Sequence, residues 1–131
     1  MAHVARARPF AARAETVWSV IGGFQSLADW HPAVDSSTRS MADGAELRRL
    51  ALKGGGEIVE ALTGMDGMSY GYRIVSGPLP VADYTATLTV LPAVDGCIVA
   101  WSSNFTPTAD GAEDVIAGIY EAGFGALASR F

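Results

Sequence analysis

Between Ala33 and Thr106 five closely spaced turn signals cut the chain into short segments, and this punctuation limits the fold more than any other feature of the sequence. The signals are Asp43-Gly44, Gly54-Gly55-Gly56, Asp66-Gly67, Gly77-Pro78 and Asp95-Gly96. Glycine tolerates positive φ and proline fixes its own, so each signal turns one extended segment back on the next. The spacing predicts strands over Ala33 to Ser40, Glu46 to Leu52, Glu57 to Leu62, Ser69 to Ser76, Ala82 to Leu91 and Cys97 to Phe105. Connections this short join antiparallel neighbours, so these strands form a meander.

The flanks complete the architecture. Ala2 to Arg8 alternates Ala5 and Ala7 with Arg6 and Arg8, as a strand with one solvated face does, and Pro9 is expected to end it. Ala14 to Gly22 carries Val17, Trp18 and Ile21 at helical spacing and stops at Gly22-Gly23, and a second short helix is predicted over Ser26 to Trp30 before Pro32. Beyond the meander the period changes. Val115, Ile116, Ile119, Tyr120, Gly123, Leu127 and Phe131 fall on one helical stripe, with Asp110 and Glu113 as the expected capping pair. About twenty residues at 1.5 Å each span roughly 30 Å, enough to cross a small domain. The expectation is an α+β fold, a curved antiparallel sheet of about seven strands wrapped around a long C-terminal helix, with two short helices after the first strand.

Composition narrows the function. The 131 residues make one domain, 1–131, and half of them are apolar while only 18% are charged, enough to build a core or wall a cavity. A net charge of -5 argues against nucleic-acid binding. No apolar run approaches the roughly 20 residues of a membrane span, and the start MAHVARARPF has no signal-peptide core. With one cysteine, Cys97, an internal disulfide is excluded, and cytoplasmic residence is the expectation. His3 and His31 lack paired ligand spacing, so no metal is expected. Glycine-rich nucleotide motifs and a nucleophile elbow are absent, and no cofactor is called for.

The string AETVWSVIGGFQSLADWHPAV, then GAELRRL, EIVEAL, YGYRIVSGPLPVADYTATLTV and VAWSSNFTP before a terminal helix resemble, in order and spacing, the polyketide cyclase/dehydrase branch of the START-like, helix-grip superfamily (SRPBCC). The resemblance covers nearly the whole chain. It implies the helix-grip fold and a deep, largely apolar cavity between sheet and helix that holds a hydrophobic small molecule. Two activities fit it: acid/base cyclisation or dehydration of a polyketide-like substrate, a lyase-type reaction, or carriage or sensing of a lipid-like or aromatic ligand without chemistry.

Strand parity supplies the candidate residues. If Leu50 and Leu52 point inward, so do Arg48, Ile58, Glu60, Leu62, Tyr70, Tyr72, Ile74, Tyr84, Ala86, Leu88, Val99 and Trp101. Buried charge is unfavourable unless paired, so Arg48 and Glu60 form either a mutual ion pair or the polar end of a ligand site. Along the stretch around His31 the chain also resembles the plant abscisic-acid receptors. That likeness implies that His31, Glu60 and Tyr84 converge, although the gate and latch differ, reading Lys53-Gly54-Gly55-Gly56 and Gly77-Pro78-Leu79-Pro80. His31 and Glu60 are therefore the candidate acid/base pair. Trp30, Arg48, Tyr70, Tyr72, Ile74, Tyr84, Ala86, Trp101, Ile119 and Gly123 are the candidate ligand contacts. Gly123 is included because glycine inside a helix costs about 1 kcal/mol against alanine and so marks a close approach or reserved space.

Overall fold

A computed structural model describes all residues, 1–131. Strand β1 (Ala2–Phe10) is followed by helix α1 (Ala14–Ile21), a 3₁₀ turn at Phe24–Ser26 and the single helical turn α2 (Leu27–Trp30). The meander comprises β2 (Val34–Ala42), β3 (Ala45–Leu52), β4 (Glu57–Met65), β5 (Ser69–Ser76), β6 (Val81–Ala93) and β7 (Gly96–Pro107), and helix α3 (Ala112–Arg130) ends the chain. All neighbouring strands are antiparallel in one sheet of order β1-β7-β6-β5-β4-β3-β2. The first strand thus returns to the last, and the short helices cross from one edge of the sheet to the other. No helix is long and apolar enough to cross a membrane.

Turn chemistry explains the meander. Asp43 and Gly44 both adopt positive φ, 53° and 77°, the requirement of a two-residue hairpin whose twist matches its strands. Gly54, Gly55 and Gly56 all have positive φ, a conformation that a run of L side chains would resist. Register then builds the inner face: Arg48 lies opposite Glu60, Leu50 opposite Ile58, Tyr72 opposite Ala86 and Leu88 opposite Trp101. These residues are all buried. One bulge, between Ala82 and Thr85, contains Asp83 at φ 53° and keeps Tyr84 in the inward row.

Several expected boundaries shift. Strand β1 continues through Pro9 to Phe10, because β1 is an edge strand and proline's missing donor removes no bond on its open side. The expected Asp110–Glu113 capping pair does not form: Gly111, at φ 81°, is the N-cap of α3 and no side chain caps it. The stripe on α3 also divides in two. Ala112, Ile116, Tyr120, Gly123, Phe124 and Leu127 are the buried residues of the helix, while Val115 is 42% exposed and Phe131 lies past its end.

Of the three glycines on α3, Gly123 is the one that faces close neighbours. A Cβ there would lie 3.0 Å from Trp30, 3.1 Å from His31 and 3.2 Å from Trp101, all ring atoms held in the core. At Gly118, on the exposed side, a Cβ would meet nothing within 4 Å. The two positions therefore respond oppositely to the same methyl group. Gly123→Ala is expected to destabilise the fold by about 1–3 kcal/mol through overpacking, and Gly118→Ala to stabilise it by up to about 1 kcal/mol, as read from urea unfolding.

Candidate functional site

The inner face of the sheet and α3 do not meet along their whole length. Between them lies a cavity of about 260 Å³ lined by 17 residues, 14 of them hydrophobic. Leu50 and Leu52 of β3, Ile58 and Glu60 of β4, Tyr72 and Ile74 of β5, Tyr84 of β6 and Trp101 of β7 form the sheet wall. Leu27, His31, Val115, Ile116 and Ile119 form the helical side, and Ala33, Lys53 and Leu79 stand at the rim. Leu79 comes from the Gly77-Pro78-Leu79-Pro80 connection and also walls a smaller pocket on its other side.

The charged end of this wall is a single cross-strand pair. Arg48 is fully buried, and its Nε donates to Glu60 Oε1 at 2.8 Å while Nη2 lies 2.8 Å from the same oxygen, too poorly aligned to donate. Nη1 donates to the Phe24 carbonyl at 2.8 Å and to the Tyr70 hydroxyl at 3.2 Å. The guanidinium carbon lies 4.2 Å from the Phe24 ring centroid and 4.9 Å from that of Tyr72. Burial opposes the arginine's charge, but Tyr70, Glu60 and Tyr72 outweigh it and Arg48 holds its proton firmly. Burial also raises the Glu60 carboxyl above the ordinary carboxylate value, and Arg48 opposes that rise without cancelling it. Glu60 Oε2 accepts no hydrogen bond from the protein, so Glu60, alone of the pair, turns a carboxylate oxygen to the cavity.

Beside Glu60 runs a chain of hydroxyls. Trp101 Nε1 donates to the Tyr72 hydroxyl at 3.0 Å, Tyr72 lies 3.1 Å from the Tyr84 hydroxyl, and Tyr84 bonds in turn to Tyr120. An indole can only donate, so Tyr72 accepts from it and keeps its own proton for Tyr84 or for the cavity. Desolvation pushes Tyr84 up to about 12 and raises Tyr72 and Tyr120 as well. All three are neutral donors at any working pH. Trp101 and Tyr120 stack at 4.4 Å, which fixes the far end of the chain against α3.

His31 is arranged differently from its expected acid/base role. Its Nδ1 accepts from the Ala33 amide at 3.1 Å, which leaves Nε2 to donate to the Ile119 carbonyl at 2.8 Å. Both ring nitrogens are engaged, the tautomer is set, and the ring borders the cavity without a free proton-transfer atom. Burial lowers its pKa, with the Ile119 bond opposing and Arg48 adding to the fall.

Of the remaining sequence-derived contacts, Tyr72, Ile74, Tyr84, Trp101 and Ile119 line the cavity, as do Glu60 and His31. Five do not. Arg48 lies behind Glu60, Tyr70 packs edge-on against Phe24 at 5.6 Å, Ala86 is buried in the row between Tyr72 and Ser103, and Trp30 packs on Trp101 at 5.8 Å. Gly123 is filled by its neighbours and reserves no space. Parity alone missed Lys53, Leu79 and Val115, which reach the rim from turns or from the edge of the helical stripe. The hint for Lys53 was its place directly before three glycines.

A seven-stranded antiparallel sheet gripping a C-terminal helix over an apolar cavity defines a START-like, helix-grip protein. Residues 1–131 match the family described as polyketide cyclase/dehydrase and lipid transport, and the chain belongs to that family. The protein XoxI from Bacillus cereus is 35% identical, with a TM-score of 0.92 over 100% of this chain and 96% of its own. A protein from Thermobifida fusca is 30% identical, with a TM-score of 0.83 over 99% of this chain and 93% of its own. The Zhui aromatase/cyclase from Streptomyces shares the fold at 17% identity, with a TM-score of 0.73 over 98% of this chain and 89% of its own. No curated protein sequence matches the chain.

Two tests follow from the buried charges. Arg48→Met leaves Glu60 buried without its partner and is expected to cost about 3–5 kcal/mol, whereas Arg48→Met with Glu60→Leu recovers most of that loss; urea unfolding of both variants measures it. For His31 the folded pKa lies below the ordinary 6.5, so the unfolded chain binds more protons as pH falls past that value. The His31 contribution to stability is therefore complete above pH 6.5 and declines as pH falls toward the folded value. Unfolding curves at pH 7.5 and 5.5 should show a smaller loss in His31→Gln than in the parent.

Proposed function

We propose that the protein binds a hydrophobic small molecule in the cavity between sheet and α3. The observation that carries this reading is the cavity itself: about 260 Å³, lined mostly by apolar side chains, with one carboxylate oxygen and two tyrosines in its wall. An apolar cavity of about 150 Å³ already accepts benzene. A ligand of one or two rings, or a short acyl chain, suits the larger space here.

A second reading is favoured by the polar groups. Glu60 Oε2 is a carboxylate oxygen with no protein donor, in a site where burial has raised its basicity. Tyr72 and Tyr84 are neutral donors in the same wall. Glu60 can remove a proton alpha to a ketone while a tyrosine hydroxyl stabilises the developing enolate oxygen, the first half of an aldol cyclisation or a dehydration. That a protein of the same fold bears the name aromatase/cyclase supports this reading. His31, with both nitrogens engaged, holds α3 to α2 in this scheme and moves no proton.

The binding reading is checked with a neutral fluorescent probe, N-phenyl-1-naphthylamine. Its emission should rise on binding, and Ile119→Trp, which fills the cavity, should weaken it by about tenfold or more while leaving the melting temperature unchanged. Catalysis is checked by NMR through deuterium exchange alpha to the carbonyl of 2-tetralone. The exchange rate should climb with pH as Glu60 ionises, from above the ordinary carboxyl range, and vanish in Glu60→Gln. Probe binding with equal exchange in parent and variant would leave the carrier reading alone.

A further inference from the structure

The cavity has two poles, and they are unlike. At its inner end Glu60 Oε2 has no protein donor, and Glu60 is only 5% exposed, so hydrogen bonding there must come from whatever occupies the cavity. At the rim stands Lys53, exposed and in no ion pair, the one cationic residue of the lining. Between them the wall is aliphatic and aromatic, with Tyr72, Tyr84 and Trp101 presenting rings.

Charge decides what each pole accepts. The Glu60 carboxylate is already neutralised by Arg48 at 2.8 Å, so an ammonium group at the inner end would be a third, uncompensated buried charge. A second carboxylate there would face Glu60 directly. A neutral donor meets Oε2 at neither cost. At the rim the preference reverses, because a carboxylate stays partly hydrated there and gains the Lys53 ammonium.

Length supports one molecule reaching both. Arg48 lies opposite Glu60, and Lys53 is five residues further along the same strand and turn, roughly 16 Å away at about 3.3 Å per residue. That backbone spacing is an upper bound on the gap between the two charged groups, because the long Lys53 side chain can reach back over the rim. Less two hydrogen bonds of about 3 Å, it leaves at most roughly 10 Å from donor oxygen to carboxylate, about the length of a two-ring aromatic acid. Resting on the binding reading above, we propose that the cavity takes a hydroxylated aromatic carboxylic acid, hydroxyl inward on Glu60 Oε2 and carboxylate outward at Lys53.

Four compounds on one scaffold test this with the intact protein, by titration in ¹H–¹⁵N NMR. They are 6-hydroxy-2-naphthoic acid, 2-naphthoic acid, methyl 6-hydroxy-2-naphthoate and 2-methylnaphthalene. The hydroxy acid should bind most tightly. Loss of the hydroxyl should weaken binding by about tenfold or more, since a bond to a buried carboxylate is lost. Esterification should weaken it by a few-fold at low salt and less at high salt, because Lys53 is exposed. Lys53→Ala should remove the difference between acid and ester and leave that between hydroxy and deoxy compounds. Equal affinities for all four compounds in the parent protein would overturn this assignment and leave the apolar cavity reading in place. If none of them, 2-methylnaphthalene included, shifts resonances of cavity residues, the binding reading itself falls.

Discussion

The Arg48–Glu60 pair is the constraint on which the interior of this protein depends. Both side chains point into the concave face of the sheet, where an unpaired charge is strongly unfavourable, so the two strands are held in the register that joins them. The same guanidinium reaches the Phe24 carbonyl and lies over the Phe24 ring, which ties the helical crossover to the sheet. Because Arg48 occupies one oxygen of Glu60, the other belongs to the cavity. One carboxylate therefore serves both the ion pair and the cavity wall.

A second brace keeps the interior hollow. The Tyr72–Tyr84–Tyr120 hydroxyl chain, closed by the Trp101 indole, spans the inner face of β5, β6 and β7 and ends on α3. Each ring is held by a hydrogen bond at its tip as well as by packing, so it resists rotating into the space beside it. On the other flank Gly123 lets α3 settle against Trp30, His31 and Trp101, and His31 clasps the Ile119 carbonyl. Helix and sheet are thus pinned at one end and separated at the other.

Much of this was legible in the sequence where the physics is local. The glycine and proline turns located the strands, and two-residue alternation placed Arg48, Glu60, Tyr72, Tyr84 and Trp101 on the inner face, because strand parity leaves only two choices. The helix was harder. At 3.6 residues per turn a stripe blurs into its neighbours, and the sequence merged the core residue Tyr120 with Val115, Ile116 and Ile119, which line the cavity. Phe124, buried between two glycines, went unread. The state of His31 was out of reach altogether, since its Nε2 partner lies 88 residues away in sequence. Whether an inward residue meets the hollow or the packed core, as separates Tyr72 from Tyr70, depends on where α3 stops touching the sheet, and no single strand records that.

The triple-glycine connection between β3 and β4 has a kinetic meaning. Gly54, Gly55 and Gly56 are exposed, and a Cβ on any of them would meet nothing within 4 Å, so this part of the rim carries no side chain to close over an occupant. Whatever enters is held by the interior and not latched from this side. Residence time is then set by the attraction between the occupant and the cavity wall, and exchange with bulk solution needs no reopening of this loop. On the binding reading proposed above, such a rim suits rapid turnover or hand-over more than long-term storage.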